Sequence, residues 1–435
     1  MALTTSVSWE IERPISRPFR RAHIKRRQTS NGLLESSWFS ITDLVKTWGE
    51  FESSVDDVRF NRYKFSGLNI VCRNDGGDFN PESNVASLWN GYLTRYRTLV
   101  RIQAGYYQDD DTELPTETTQ GIFVLDDEIV MDSIANEAIL NCRSLQSIFE
   151  EVRANDLIGV YTTQTASDIF ARIRDHTDGS ARFVFREFIT STSWSIAATT
   201  INYALSTSSS IANLSVWELM NKLAEAEGRI VFITRSGGIT FQDRNPNTTT
   251  IAFDFNGQGT ARPNVISLNW YKEPITKFFN TIRVKYLEAA TSTSFATAGT
   301  ITSVDPSNTS WKYGARTLEI ENRFLVNTAA AQSVADNLFS LTSVMKTEAE
   351  IKARFTPHID ISDRVTLTYL SYNLADGTLW DTEDWASDAA YEWTDGMNWD
   401  KELGENFSFD GTPFRILSKR THLDDFVTTL TLREI

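Results

Sequence analysis

Period-two alternation of apolar and polar side chains at both ends of the chain is the feature that most narrows what it can fold into. In LTRYRTLVRIQAGY (Leu93 to Tyr106), Leu99, Arg101 and Gln103 alternate with Val100, Ile102 and Ala104. That is the spacing of a half-buried strand, because successive strand side chains point to opposite faces. Near the other end, DRVTLTYL sets Val365, Leu367 and Tyr369 against threonines, and in the final FVTTLTLREI the residues Phe426, Leu430 and Leu432 share one face. The apolar runs around WFSITDLVKTWGEFESSV (Trp38 to Val55) and YKFSGLNIVCRNDGGDFNP (Tyr63 to Pro81) end in Asn-Asp-Gly-Gly, a strong turn signal.

Between these ends the period changes. NEAILNCRSLQSIFEEVRA closes with Leu145, Ile148, Phe149 and Val152 at helical spacing. In SVWELMNKLAEAEG, Ser215 and Glu218 form a capping box, Val216, Leu219, Met220 and Leu223 form the buried stripe, and Gly228 is the stop, which predicts a helix over 215–227. RIVFITRSGGITFQDR then predicts a hairpin over 229–244. Farther on come a strand in FFNTIRVKYLE, a Ser/Thr-rich loop from Ala289 to Ser310, and a helix in NTAAAQSVADNLFSLTS. A chain of 435 residues exceeds what one core usually supports. The expected organisation is α+β and multidomain: a β-barrel or sandwich at 1–130, a mixed α/β middle at 131–265, and a β-rich domain at 266–435 with an insertion at 376–410. No repeat of 20–50 residues occurs.

Charge is unevenly spread. The net charge is -15, and 376–410 holds eleven acidic residues against Lys401, which accounts for -10 of it. That sum argues against nucleic-acid binding as the main activity. The stretch RPISRPFRRAHIKRR carries Arg13, Arg17, Arg20, Arg21, Lys25, Arg26 and Arg27 with no acid. It reads as a solvated arm, a basic face on a strand, or a docking patch for an acidic partner. In LWDTEDWASDAAYEWTDGMNWD, Trp380, Trp385, Trp393 and Trp399 stand among acids. Gaps of five, eight and six residues do not fit one side of a strand or helix, so the segment suits a compact loop with tryptophans inward and acids outward. A calcium site and a sugar- or partner-binding surface are the sharper alternatives. Glycoside hydrolysis, which needs two carboxylates beside aromatics, demands a partly buried acid that such a solvated rim does not offer.

No other chemistry declares itself. His23, His176, His358 and His422 are isolated, and neither metal spacing nor a nucleophile, Walker or dinucleotide motif is present. The acidic QDDDTELPTET (Gln108 to Thr118) lacks the glycine and ligand spacing of a calcium loop. Cys72 and Cys142 are expected to be buried free thiols. We therefore expect no catalytic residue, no metal and no cofactor. Nothing approaches the roughly 18 apolar residues of a spanning helix, and MALTTSVSWEIERP has no signal-peptide pattern, which reads as a protein made and kept in a cytoplasm.

Several segments in order resemble the hub (tail-tip) proteins of tailed bacteriophages, the trimeric baseplate hub and tail-associated family. They are SWFSITDLVKTWGEFESSVDDVRFNRYKFSGLNIVCRNDGGDF (Ser37 to Phe79), LTRYRTLVRIQAGY with QGIFVLDDEI (Gln120 to Ile129), SVWELMNKLAEAEGRIVFITRSGGITFQDR, NTIRVKY (Asn280 to Tyr286), and DRVTLTY followed by FRILSKRTHLDDFVTTLTLREI. The resemblance implies a homotrimer in which two tube-like β-barrel domains per chain, one near each end, build a pseudo-sixfold ring continuing the tail tube. It implies as partners the tail tube or distal tail protein, the tape measure protein and a fibre or spike. The ring closes the tail before infection and then passes DNA without specific binding, which an acidic or neutral lumen favours. The implied location is the virion tail tip, after assembly in the host cytoplasm. Some relatives append a lysozyme, peptidase or fibre after the last strand; this sequence stops at Ile435, which points to a structural adaptor without turnover. The alternatives are a hexameric distal tail protein and a carbohydrate-binding or glycoside-hydrolase protein using the four tryptophans.

Overall fold

A computed structural model describes residues 11, 17–30, 32–55, 63–80, 87–93, 98–107, 118–125, 129–132, 134–157, 161–177, 184–199, 202–205, 211, 213–243, 250–257, 260, 263–272, 275–287, 295–302, 314, 316–322, 324–325, 328–370 and 408–435. Most of them lie in strands. The first part supplies β1 (Pro18–Lys25), β2 (Arg27–Gln28), β3 (Phe39–Ser40), β4 (Val45–Thr47), β5 (Glu50–Val55), β6 (Tyr63–Phe65), β7 (Leu68–Arg73), β8 (Tyr92–Leu93), β9 (Thr98–Tyr106), β10 (Thr118–Leu125), β11 (Val130–Asp132) and β12 (Glu137–Ser144). Eight of these form an antiparallel sheet in the order β3-β1-β9-β10-β12-β7-β4, with β11 added to β12. Its two edges are consecutive in sequence, joined through a single 3-10 turn at Thr42–Leu44.

The alternation in β12 is a clean instance of the expected pattern, with Ala138, Leu140, Cys142 and Ser144 inward. β9 departs from it. Leu99 and Gln103 are buried along with Val100, Ile102 and Ala104, and Arg101 lies with its guanidinium 4.6 Å from the Trp38 ring centre. The strand sits between β1 and β10, and the face that alternation had assigned to solvent is buried at Leu99 and Gln103. β10 bulges between Thr119 and Gly121, so Gln120 has no place in the ladder.

The middle contributes α1 (Gln146–Glu151), α2 (Ala154–Leu157), β13 (Tyr161–Thr165), α3 (Ala166–Asp175), β14 (Trp194–Ile196), β15 (Asn202–Leu205), α4 (Val216–Ala226), β16 (Arg229–Ile233) and β17 (Ile239–Asp243). The predicted capping box of α4 is present: Glu218 N donates to Ser215 Oγ at 3.1 Å, and Ser215 N donates to Glu218 Oε2 at 2.9 Å. Gly228 follows at φ 65°, a conformation costly for residues with a Cβ. The four stripe residues are fully buried. β16 and β17 form the predicted hairpin, and β14 joins β17 in parallel.

The last part supplies β18 (Phe253–Asn256), β19 (Val265–Lys272), β20 (Thr281–Leu287), β21 (Phe295–Thr302), β22 (Thr317–Glu321), α5 (Thr328–Thr342), β23 (Thr347–Arg354), β24 (Arg364–Leu370), β25 (Ser408–His422) and β26 (Val427–Glu434). A second large sheet runs β18-β24-β25-β26-β23-β19. Its edges are again consecutive in sequence, and Asn264 ties them: Asn256 N donates to Asn264 Oδ1 at 2.9 Å and Asn264 N to Asn256 O at 2.7 Å. β21 occupies part of the stretch expected to be a Ser/Thr-rich loop, pairing with β20; threonine favours strands, so composition alone does not exclude one there. In the final strand Phe426 belongs to the turn, at φ 51°, and Thr428, Leu430 and Leu432 are the fully buried set.

One connection had no sign in the sequence. The hairpin of β5 and β6 joins the second sheet, with β5 pairing β25 from Glu50↔His422 to Ser54↔Ser418. One continuous buried cluster runs from Ile11 to Leu432. The architecture is thus mostly β, with two large sheets, smaller sheets and helices on a shared core.

Candidate functional site

Most of the basic stretch lies on β1 and just beyond it. Arg13 is outside the described residues. Arg17 is exposed, and Arg21 and Lys25 are half-buried. Arg26 and Arg27 turn inward, and Arg20, itself half-buried, is held by partners far along the chain. Arg26 is 8 % exposed. Its Nε and Nη2 donate to the two oxygens of Glu35 at 3.0 and 2.9 Å, and Nη1 donates to the carbonyl of Leu88. The guanidinium lies 3.9 Å from the Tyr92 ring centre. Partial burial opposes ionisation of Glu35, but the Arg26 hydrogen bonds outweigh it and hold the carboxyl below its ordinary range. Arg27 is buried, donating to Glu187 at 2.7 Å and to the Gly32 carbonyl at 2.6 Å. Arg20 donates to the Leu423 carbonyl and to Asp424, and its guanidinium lies between the rings of Trp48 and Phe426. Asp424 in turn accepts from Trp48 N and Gly49 N at 3.2 Å. These three arginines join segments far apart in sequence.

A second polar cluster joins all three parts of the chain at the loop from Phe355 to Asp363. Tyr106 Oη donates to the Phe355 carbonyl. The bulge in β10 aims Gln120 out of its ladder, and its Nε2 donates to the Pro357 carbonyl at 2.9 Å. Arg235, in the turn between β16 and β17, donates to the same carbonyl, and its backbone N–H to Asp360 Oδ2 at 3.1 Å. Lys419 of β25, 5 % exposed, donates to the Ile359 carbonyl at 2.9 Å and to Gln120 Oε1 at 3.4 Å. Asp360 N donates to Asp363 Oδ2 at 2.7 Å, closing a turn in which Ser362 sits at φ 69°. Tyr63 of the imported hairpin donates to the Ile233 carbonyl at 2.8 Å.

Burial dominates the electrostatics of this junction. It brings the Lys419 ammonium down to about 7, helped by nearby Arg235, while Asp360 and Asp363 oppose the shift. It brings His358 down to about 3, so the imidazole, 3.3 Å from the Ala252 carbonyl, is neutral. It pushes the Asp363 carboxyl up. A neutral histidine bound to a backbone carbonyl and a lysine bound to another are groups that hold a loop. The sequence carried no local sign of the cluster, since Gln120, Arg235, Asp360 and Lys419 lie on four separate segments.

Cys72 and Cys142 are buried and free, and burial pushes the Cys72 thiol up to about 12. Among the described residues no group of three or more His, Cys, Asp or Glu is placed to hold a metal ion. No described helix is long and apolar enough to cross a membrane. Trp380, Trp385, Trp393 and Trp399, and the acidic loop before Thr118, lie outside the described residues.

No protein-family model matches the chain. No curated protein matches it in sequence. Solved structures do match. A tail protein from Neisseria meningitidis is 11 % identical with a TM-score of 0.51, over 95 % of this chain and 96 % of that one. A prophage tail protein, gp18, from Listeria monocytogenes is 12 % identical with a TM-score of 0.48, over 95 % and 94 %. The 43 kDa tail protein of prophage MuSo2 from Shewanella oneidensis is 10 % identical with a TM-score of 0.48, over 95 % and 98 %. At such identities the likeness is one of fold, and along nearly its whole length this chain has the fold of the Neisseria meningitidis tail protein.

Proposed function

We propose that the protein is a structural component of a phage tail tip, a homotrimeric hub that closes the tail tube, links it to a fibre or spike, and forms part of the conduit for DNA. The observation that carries this is the end-to-end match to a tail protein fold, 95 % of one chain against 96 % of the other. Two features support the finer reading. Each large sheet has edges consecutive in sequence, an order compatible with two barrel-like units, and two such units in each of three chains would give a pseudo-sixfold ring. The junction at Phe355 to Asp363 holds the parts together, as a component that transmits load requires. The second sheet favours a hub over a distal tail protein, for which one such unit suffices. In this role the work is done by interface area and not by turnover, the location is the virion, and DNA passes an acidic chain without being held.

Mass measurement and electron-microscopy averages of the purified assembly test the proposal: three chains in a threefold ring are expected, and six chains would overturn it in favour of the distal tail protein. The docking of an acidic neighbour in the tail we assign to the exposed Arg17 with the half-buried Arg21 and Lys25. Trp380, Trp385, Trp393 and Trp399 we assign to contact with a tail partner. Deletion of 376–407, which spares β25, should weaken that assembly; specific glycan capture by the intact chain that the deletion abolishes would move the four tryptophans to carbohydrate binding.

A further inference from the structure

The loop from Phe355 to Asp363, where the three parts of the chain meet, is held by groups whose fit depends on their protons. Lys419 Nζ donates to the Ile359 carbonyl at 2.9 Å and to the Gln120 amide oxygen at 3.4 Å. Both acceptors are neutral, and a buried ammonium bound to neutral oxygens recovers little of its lost hydration. His358, 6 % exposed, meets the Ala252 carbonyl through Nε2 at 3.3 Å. A carbonyl only accepts, so Nε2 carries the proton and Nδ1 a lone pair. That Nδ1 is buried with no partner among the described residues, so a proton arriving there has no acceptor to donate to. The closed loop is also strained: Ser362 sits at φ 69°, with its hydroxyl buried and unpartnered among the described residues.

The surroundings add no compensating charge in contact. β5 and β26 set Ser53 and Leu430 opposite Lys419, and neither ionises. Burial disfavours the Lys419 charge most, Arg235 of the β16–β17 turn adds to this, and Asp360 and Asp363 of the loop oppose it. At His358 burial again leads, with Lys419, Arg235 and, least, the chain's amino group acting in the same sense; the Phe253 ring of β18 lies 5.3 Å away. Tyr63 of β6 keeps its proton, because burial raises it well above its ordinary value and Asp360 adds to the effect. We infer that this loop is an acid-released latch: proton uptake by Lys419 and His358 frees Phe355–Asp363 from β10, β25 and the β16–β17 turn while the first sheet stays folded. The inference is independent of the tail role.

Closed, the latch binds fewer protons than open. On closing Lys419 falls from 10.5 to about 7 and His358 from 6.5 to about 3, so a rise of pH through either interval favours the closed form. Asp363, raised from 3.8, opposes this at the acid end. From pH 8 to pH 6 the opening constant should therefore rise about tenfold through Lys419 and about fourfold through His358. Hydrogen exchange of the full chain at the two pH values, with each rate corrected for the intrinsic effect of pH, tests this. The expected result is protection lost about tenfold or more at Phe355–Asp363 at pH 6 with β12 unchanged. Lys419→Met should remove most of that response, and His358→Gln, which keeps an N–H donor, should reduce it about fourfold. A loop equally protected at both pH values, equal loss in β12, or a full response in either variant would overturn the inference. Should Lys419→Met fail to fold, His358→Gln still decides, since a reduced response supports the latch and an undiminished one removes it.

Discussion

The two large sheets share an outline and differ in what completes them. The first draws all eight strands from residues 18–144, and a single 3-10 turn joins its edges. The second takes β5 and β6 from the first part of the chain and admits buried charge within its own strands. Glu348 is fully buried, Lys419 is 5 % exposed, and Arg415 and Arg433 are nearly as inaccessible. Apolar burial tolerates small displacements, because its strength follows area. A buried ion does not, since losing its partner leaves desolvation uncompensated. The second sheet therefore depends on partners delivered from elsewhere: a strand from β5, Gln120 from a bulge, and Arg235 from a turn.

Breaking the imported strand should separate the two sheets most strongly. Ser53 lies within β5, 8 % exposed, opposite Lys419 on one side and Phe65 on the other. Ser53→Pro removes a ladder donor from an interior strand and should cost about 3 kcal/mol or more. Hydrogen exchange should then show lost protection in β25 and β26 with β9 and β10 retained; equal loss in both sheets would mean that they open as one unit.

The next effect contrasts two arginines. Arg26→Met leaves Glu35 without its guanidinium and the Leu88 carbonyl without a donor, a loss of about 3 kcal/mol in urea denaturation. Arg420, whose side chain is 48 % exposed beside Glu52 at 2.7 Å, should lose less than about 1 kcal/mol in Arg420→Met. Equal losses would show that the burial of Arg26 has no energetic weight.

Acid–base behaviour sharpens the contrast further. Lys419 titrates at about 7 in the fold against an ordinary 10.5, so between those values the unfolded chain holds more of its proton, and stability rises with pH. Asp363, shifted upward from 3.8, acts in the opposite direction at the acid end, where stability rises as pH falls through its shifted value. Above 9, Cys72, raised to about 12, keeps a proton that the unfolded chain loses, and stability falls. From 7 to 9 the Lys419 contribution rises with pH. A gain of about 1 to 2 kcal/mol from pH 7 to 9 is expected, and it should vanish in Lys419→Met.

How much of this was legible depended on whether the cause was local. α4 was readable because Ser215 and Glu218 are three residues apart and bond each other. α3 carries an equivalent box in Thr165 and Asp168, and the same signature would have found it. The strands were readable from alternation, but alternation identifies a buried face only when the other face meets water, which fails at β9. Arg26 has its acid nine residues away, whereas the acid of Arg27, Glu187, is 160 residues away, and no local pattern distinguishes such pairs from a solvated basic run. The junction was invisible for a further reason. Gln120 reaches it through a bulge, and a bulge is a property of the pairing between strands, which a single segment does not record.

The smallest effect on stability should accompany the most specific effect on assembly. Arg17 is exposed just before β1, and Arg21 and Lys25 are half-buried on that strand. Reversing these three to glutamate should change stability by about 1 kcal/mol, since charges that keep access to water contribute little to folding. If they dock an acidic neighbour, the same change should slow association with the tail and reverse its salt dependence, because exposed charge at a rim acts mainly on encounter. Reversal at Arg20, Arg26 and Arg27 cannot test this, because it would break bonds to Asp424, Glu35 and Glu187 inside the chain. Tail assembly that proceeds unaltered with the triple variant of Arg17, Arg21 and Lys25 would leave the basic stretch as an internal fastening and nothing more.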